Sequence, residues 1–427
     1  MKKRQTISGS KTPKITTLIP RFAFLAIISL MGLGLSSCSF LLTALDNRGT
    51  FHNTTDLADL DSDGDLDVIL VNVRSESESV AFHQITFWFN QGNGRFMPHL
   101  FQTPPYLYLS AAATDIDSDG DVDLALLRSD GVETFFNQGS RQVGEPAIFS
   151  SGHFSRPSGD TGTPGSLVLA DLNNDGSLDG FVAGCCGMTF ATMSSSIYLP
   201  PVSWVWYQEQ TTDSSVEDRA VHLAELAALP IRDAAVGDLD GDGDLDVFTA
   251  VQAPEPGQNT SSADLVLGND GSGNLTDSGQ RLGENDSTAV SLGDLDGDGD
   301  LDALVGTSNG AVIWLNQGGG QSGTEGTYLA STQTIADGQI SAVLLADLDG
   351  DDDLDALIAG NRTGIIWWND GLGLFTRSDQ QFHYSDRHGL AIGDFNNDGQ
   401  PDIFAAAYDR DYRIWLNQGD GSFQSGP

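Results

Sequence analysis

One nine-residue pattern, Asp-x-[Asp/Asn]-x-Asp-Gly-x-x-Asp, starts at Asp59, Asp115, Asp171, Asp238, Asp294, Asp347 and Asp394. Seven copies about 55 residues apart constrain the fold more than any local propensity, because such periods belong to arrays and propellers whose units cannot bury their own faces. A second pattern, Asn-x-Gly-x-Gly-x-Phe, follows each copy at a distance. It runs from Asn90 to Phe96 in the first repeat, recurs at Asn269, Asn369 and Asn417, and is degraded at Asn137 and Asn316; the third repeat has Gln208 instead. Between these markers lie short apolar runs punctuated by Gly, Asn and Asp, which read as strands. In the second repeat they are Leu109–Ile116, Val122–Leu127, Val132–Phe136 and Ala147–Ser150. Glycine is abundant, 50 of 427 residues, as tight turns between many strands require. Val216–Leu229 is the one helix-like stretch. Four antiparallel strands repeated seven times predict an all-β, seven-bladed propeller.

The acidic loops carry the chemistry. Hard cations such as Ca²⁺ take six to eight oxygens. In the first loop Asp59, Asp61 and Asp63 offer side-chain oxygens, Gly64 permits the bend, Asp65 offers its backbone carbonyl and Asp67 closes the site. The equivalent sets are Asp115, Asp117, Asp119, Asp121 and Asp123; Asp171, Asn173, Asp175, Ser177 and Asp179; and Asp238, Asp240, Asp242, Asp244 and Asp246. The last three are Asp294, Asp296, Asp298, Asp300 and Asp302; Asp347, Asp349, Asp351, Asp353 and Asp355; and Asp394, Asn396, Asp398, Gln400 and Asp402. Up to seven Ca²⁺ are expected. More than half of the acids fall in these loops, so most of the acidity is ligand rather than solvated surface. Asp352 stands where the other loops have Gly, which marks the sixth site as the weakest. An EF-hand starts similarly but needs a bidentate Glu at the twelfth position. Here that position holds Leu70, Leu126, Val182, Thr249, Val305, Ile358 and Ala405, none of them a ligand.

These loops resemble those of the FG-GAP/VCBS repeats, found in the integrin alpha-subunit propeller and in many bacterial surface proteins. The resemblance spans nearly all of residues 50–427. It implies a seven-bladed propeller with calcium between the first two strands of each blade, and ligands on the rim away from the calcium. Integrins carry fewer calcium loops than this chain.

The first segment reads as an address. Residues 1–21 are basic and polar, and Phe22–Leu35 is apolar but shorter than the roughly 20 residues a membrane span needs, which suits a signal peptide. Leu35-Ser36-Ser37-Cys38 resembles a bacterial lipobox, which implies cleavage before Cys38, lipid on that residue and an extracytoplasmic, membrane-anchored location at the outer membrane or cell surface. The expected divisions are a signal peptide over 1–37, a tether over 38–48 and the propeller over 49–427. Lys2, Lys3, Lys11 and Lys14 precede Cys38 and no other lysine occurs, while the whole chain carries a formal charge of −40. Such a surface repels phosphate backbones and argues against nucleic acid as a partner. Cys185 and Cys186 are adjacent; two buried thiols, a strained vicinal disulfide and a copper site with Met188 and Met193 all remain open.

Hairpin loops alternate between rims, so the acidic loops and the Asn-x-Gly turns are expected together. The stretches Arg74–Gln84, Cys185–Pro201, Gln252–Ser262, Asn361–Gly364 and Tyr408–Tyr412 should then occupy the other rim, the third blade being the most elaborated. Trp88, Trp314, Trp367 and Trp415 share one slot with Phe135, Trp206 and Leu267, which predicts packing between blades. Tyr106, Tyr198, Tyr408 and Tyr412 are not repeated and are better ligand candidates. The seven His are scattered, and no hydrolase triad, phosphate loop or zincin helix occurs. The reading is an adhesion or recognition propeller; the alternative is a lectin or a calcium-assisted polysaccharide lyase on the same scaffold. Arg48–His52 resembles Gly421–Gln424, and Gly49–Asn53 is expected beside the last blade, closing the ring.

Overall fold

The computed structural model describes residues 51–427 except 78–79, 105, 107, 129, 140–146, 157–163, 186–187, 192–195, 200, 211–215, 227–228, 254–261, 319–322, 385–387 and 408–411. The leader, Cys38, the tether, Cys186 and Tyr408 therefore lie outside the described residues. Seven four-stranded antiparallel blades form a ring, each with its strands in chain order from the inside outward, and in blade five a further short strand, Ile335–Asp337, pairs beside the third. The first blade comprises Phe51–Ala58, Asp67–Ser77, Val80–Asn90 and Phe96–Phe101. The second comprises Tyr108–Thr114, Asp123–Arg128, Gly131–Asn137 and Phe149–Ser155. The remaining blades start at the inner strands Pro164–Ala170, Ile231–Gly237, Ser287–Gly293, Ala342–Ala346 and His388–Gly393. Blade three inserts a small hairpin, Met188–Ala191 with Ser196–Leu199, between its second and third strands, the elaboration that the long third interval implies.

The core explains why the second strands are apolar without alternation. A second strand is covered on both faces by neighbouring blades, and successive residues feed different cores. Leu124 and Leu126 pack towards blade one, whereas Ala125 and Leu127 pack towards blade three. Each of the seven hydrophobic clusters straddles two adjacent blades. No blade owns a core, so the ring must fold as one unit. The shared slot is packing, as predicted: Trp88 is buried against Phe404 and Tyr412 of the last blade, and Trp206 and Trp314 sit in the equivalent interfaces.

Two expectations are corrected. Val216–Leu229 is not helical over its described residues: Val216–His222 pairs with Trp204–Gln210 as the outer strand of blade three, and only Ala224–Leu226 among them forms a 3-10 turn. Of the segment Gly49–Asn53 expected beside the last blade, the described part joins the sheet of the first blade. Residues 51–53 pair with Asn72–Arg74 inside blade one, and blade seven completes its own sheet with Phe423–Ser425. Closure is by packing and capping bonds instead. Phe96, Trp88 and Leu70 interlock with Phe395, Phe404 and Ile414, and the Thr55 hydroxyl donates to the Leu390 carbonyl at 2.7 Å.

Candidate metal centres

Each acidic loop is folded by hydrogen bonds to its own carboxylates. The first carboxylate accepts the backbone N–H groups four and five residues on: Asp63 and Gly64 donate to Asp59 at 3.1 and 3.0 Å. Asp115, Asp171 and Asp394 are used in the same way. The fifth-position carboxylate accepts from the seventh N–H, as Asp65 donates to Asp63 at 3.0 Å. Closing so tightly turns the backbone left-handed twice. The sixth position is Gly except at Asp352, which adopts φ 74°. The fourth position is left-handed too, a constraint that the repeat pattern leaves unmarked; Ser62, Ser118, Asn174 and Asn397 lie at φ 57–62°. A Cβ at Gly64 would meet nothing within 4 Å, so conformation rather than space selects glycine there.

The ninth-position carboxylate joins the loop to the rest of the blade. Asp67 accepts from Leu60 N–H at 2.9 Å and from Asn90 N–H at 2.8 Å. Asp123, Asp179, Asp246, Asp302, Asp355 and Asp402 repeat both bonds. Burial pushes these acids up, Asp67 to about 8 and Asp179, Asp302, Asp355 and Asp402 to about 7, while the accepted N–H groups pull the other way. Asp61 is raised to about 6 by burial and then by its neighbours Asp63 and Asp59.

Carboxylates held this way converge. Oxygens of the first, third and ninth residues lie within 4.8 Å of one another in four loops: Asp59, Asp61 and Asp67; Asp115, Asp117 and Asp123; Asp238, Asp240 and Asp246; Asp294, Asp296 and Asp302. In the sixth loop the converging set is Asp347, Asp349 and Asp351. Loops three and seven have an amide in the third position. The side-chain oxygens of Asn173 and Asn396 accept from Asp175 and Asp398 N–H, both at 2.9 Å, so each is turned into its loop. Asp300 Oδ2 and Asp349 Oδ1 are buried without a hydrogen-bond partner. An all-oxygen, acid-rich set with such atoms fits a hard cation.

The Asn-x-Gly turns share this rim, as expected. A Cβ at Gly92 would come within 2.7 Å of Asp65 Oδ2, and one at Gly371 within 2.5 Å of Asp353 Oδ2. The seventh-position residue thus touches the turn, and Asn174 reaches from blade three to Asp244 at 2.7 Å; Asn397 of blade seven bonds Asp65 of blade one. The repeat Asn itself is a latch that sequence reasoning missed. Its side-chain amide donates to the second-position carbonyl of the preceding blade's loop: Asn137 to Leu60, Asn269 to Leu172, Asn316 to Leu239, Asn369 to Leu295 and Asn417 to Leu348. Gln208 makes the same bond to Ile116 at 3.2 Å, and Asn90 donates to Phe395 at 2.9 Å across the closure. The signal is an Asn in six of the seven turns, with Gln208 in the other.

Of the aromatic ligand candidates, Tyr106 is exposed on the opposite rim, whereas Tyr412 is spent in packing against Trp88, Phe96 and Phe404. The side chain of Tyr198 lies outside the described residues. Cys185 is buried and disulfide-bonded. Three buried carboxylates away from the loops, Asp56, Asp233 and Asp264, carried no repeat signal. Each ties neighbouring blades: Asp56 accepts from Ala113 N–H at 2.7 Å, Asp233 from Val290 N–H at 3.1 Å, and Asp264 from the Ser287 hydroxyl at 3.0 Å.

The FG-GAP-like repeat matches residues 59–126, 115–182, 238–305, 294–358, 347–405 and 394–427. The unmatched stretch between 182 and 238 holds the inserted hairpin and Gln208. Among curated proteins no sequence matches. Among solved structures, a lectin from Agrocybe aegerita, described as recognising non-reducing terminal N-acetylglucosamine, is similar at TM-score 0.55 and 19% identity, over 80% of this chain and 86% of that one. BBS1N in complex with ARL6DN is similar at TM-score 0.47 and 11% identity, over 92% of this chain and 99% of that one.

Proposed function

Because the chain belongs to the FG-GAP-like repeat family, we propose that it is an extracytoplasmic calcium-binding propeller, held to a membrane by lipid on Cys38, that recognises a protein or glycan ligand through the rim opposite its acidic loops. The observation that carries this reading is the converging carboxylates in five loops. They consume one rim in cation binding and leave the other to differ from blade to blade. Calcium would be held by side-chain oxygens of the first, third, fifth and ninth residues of each loop and by the backbone carbonyl of the seventh. It would neutralise carboxylates that otherwise repel one another, which is a scaffolding role. The basic start, the apolar run and Leu35–Cys38 support the anchor. Two acyl chains together hold a protein stably at a membrane. The lectin among similar structures makes glycans the first ligand class to test.

The test is the full chain, purified from membranes and loaded with calcium, on a glycan array, with mass spectrometry of its N-terminus. A lipidated Cys38 and saturable, product-free glycan binding are expected. An unmodified terminus removes the anchor, and products released from a bound polysaccharide replace recognition with catalysis.

A further inference from the structure

Blade two carries a built cluster on the rim opposite the acidic loops. Arg128 ends the second strand; its Nε and Nη2 donate to both oxygens of Asp130 at 2.9 Å, and its Nη1 donates to Glu133 Oε2 at 3.1 Å. The Tyr108 hydroxyl donates to the same Glu133 oxygen at 2.9 Å. The guanidinium is buried and held by two carboxylates, hence fixed. Two rings lie against it: Tyr106, from the connection entering blade two, with its centroid 3.5 Å from Cζ, and Phe154, from the end of the outer strand, at 4.3 Å. Gly131 makes room, since a Cβ there would lie 2.7 Å from the Phe154 ring.

Both rings are nevertheless 44% and 43% exposed. The other exposed large apolar residues among those described are Met97, Ile148, Leu329, Leu372 and Leu374. These flank third-to-fourth-strand turns or begin outer strands, at the acidic rim. Among the described residues Tyr106 and Phe154 are thus the exposed aromatic pair of the opposite rim, and they are held by one cation.

We propose that Tyr106 and Phe154, set on Arg128, with Asp130 on the same guanidinium, form a binding platform for one or two pyranose units of a neutral glycan; this rests on the recognition reading above. A rigid aromatic face suits the apolar C–H face of a sugar ring, and rings already fixed by a guanidinium lose little freedom on binding. Asp130 spends two of about four acceptor sites on Arg128, leaving capacity for sugar hydroxyls. The chain's charge of −40 disfavours polyanionic glycans. Two rings are far less than the roughly 800 Å² a partner protein covers, which favours a sugar over a protein surface.

The experiment measures binding of chitotriose and cellotriose to the calcium-loaded full chain by calorimetry, with an array that includes polygalacturonate. Wild type should bind a neutral oligosaccharide. Tyr106→Ala and Phe154→Ala should each weaken it about tenfold or more with unchanged melting temperature, and Tyr106→Phe should stay within about threefold. Full affinity in both alanine variants overturns the site while leaving recognition standing. An array on which wild type binds no glycan overturns the site together with the glycan arm of the recognition reading. A preference for polygalacturonate, or a protein partner lost in Tyr106→Ala without any glycan bound, overturns the assignment to a neutral sugar.

Discussion

On one rim of the ring each blade ends in the same nine-residue loop; on the other, the described connections differ from blade to blade. Blade one extends its second and third strands into a long hairpin, blade three adds a separate hairpin, and blade six turns in two residues, Asn361 and Arg362, both with positive φ. Blade two turns over Arg128 and Asp130 beneath two aromatic rings. The repeated rim is repeated because every loop there meets the same demands: two left-handed residues, a buried ninth carboxylate and a latch from the following blade. The other rim answers no common demand and is free to vary, which is where binding residues concentrate on a rigid scaffold.

The comparison breaks first if the repeated rim is not structural. Chelation of the calcium-loaded chain should produce the largest effect of any single perturbation. Ligand bound only to the native state stabilises by about 2.7 kcal/mol per site at a hundred times Kd, and several sites act together on one cooperative ring. Differential scanning calorimetry with and without chelator measures this. An unchanged melting temperature would sink the scaffolding role of calcium, whereas Tyr106→Ala on the other rim should leave the same curve in place.

The latch offers a finer cut. Asn90 and Asn316 make equivalent bonds, to Phe395 and Leu239. Only the first crosses from the start of the chain to its end. Asn316→Ala leaves the buried Leu239 carbonyl without this donor, at a cost of about 1–3 kcal/mol, whereas the Phe395 carbonyl keeps the Gly94 N–H at 2.9 Å when Asn90 is replaced by Ala. Asn90→Ala should also raise the unfolding rate more than Asn316→Ala, because the seam between first and last blades has no covalent link. Equal unfolding rates in denaturant jumps would mean that the closure is no weaker than any other interface.

A buried acid separates loop chemistry from blade-to-blade packing. Asp264 is pushed up to about 7 by burial, while the Val251 N–H and the Ser287 hydroxyl it accepts pull it down. Its native pKa lies above the unfolded value of 3.8. The native state therefore holds the proton more tightly, and the stability this contributes is complete below about pH 4 and lost as pH rises through 7. Asp264→Asn stays neutral, and its amide can accept from Val251 and donate to Ser287. In saturating calcium the variant should gain on wild type between pH 4 and 7, by at most about 1.4 kcal/mol per unit. Melts across that range check it; a difference that stays constant with pH means that Asp264 is ionised in the fold.

What was legible in the residues follows the same division. Period and loop pattern declared the propeller, and the slot that Trp88 shares with its counterparts declared the packing between blades, because each recurs in every blade. The latch was legible only as a turn marker, since nothing in a sequence says which carbonyl an Asn reaches. Asp56, Asp233 and Asp264 were hidden because single buried acids vanish in an acid-rich chain. Val216–His222 was misread because Glu217, Asp218 and Arg219 precede a leucine-rich run that mimics a helix, whereas pairing with Trp204–Gln210 decides its conformation.

The smallest expected effect tests whether the sixth loop departs from its siblings in conformation alone. Asp352 adopts φ 74° where the equivalent glycines lie at 86–99°. Its N–H still reaches Asp347 Oδ2, at 3.2 Å against 3.0 Å for Gly64 and Asp59. The side chain is exposed, and the equivalent glycines have open space around their Cα atoms, so no contact compensates the left-handed backbone. A non-glycine residue there costs about 1–2 kcal/mol, less for Asp than for most, and the extra freedom of glycine in the unfolded chain offsets part of the gain. Asp352→Gly should therefore stabilise the chelated protein by up to about 1 kcal/mol, and it should tighten calcium at this loop because the relaxed backbone matches the other six. Calorimetric titration of the variant decides between two readings of the same residue. Tighter binding makes Asp352 a conformational burden, whereas weaker binding makes its carboxylate a working part of the electrostatic field that draws the cation in.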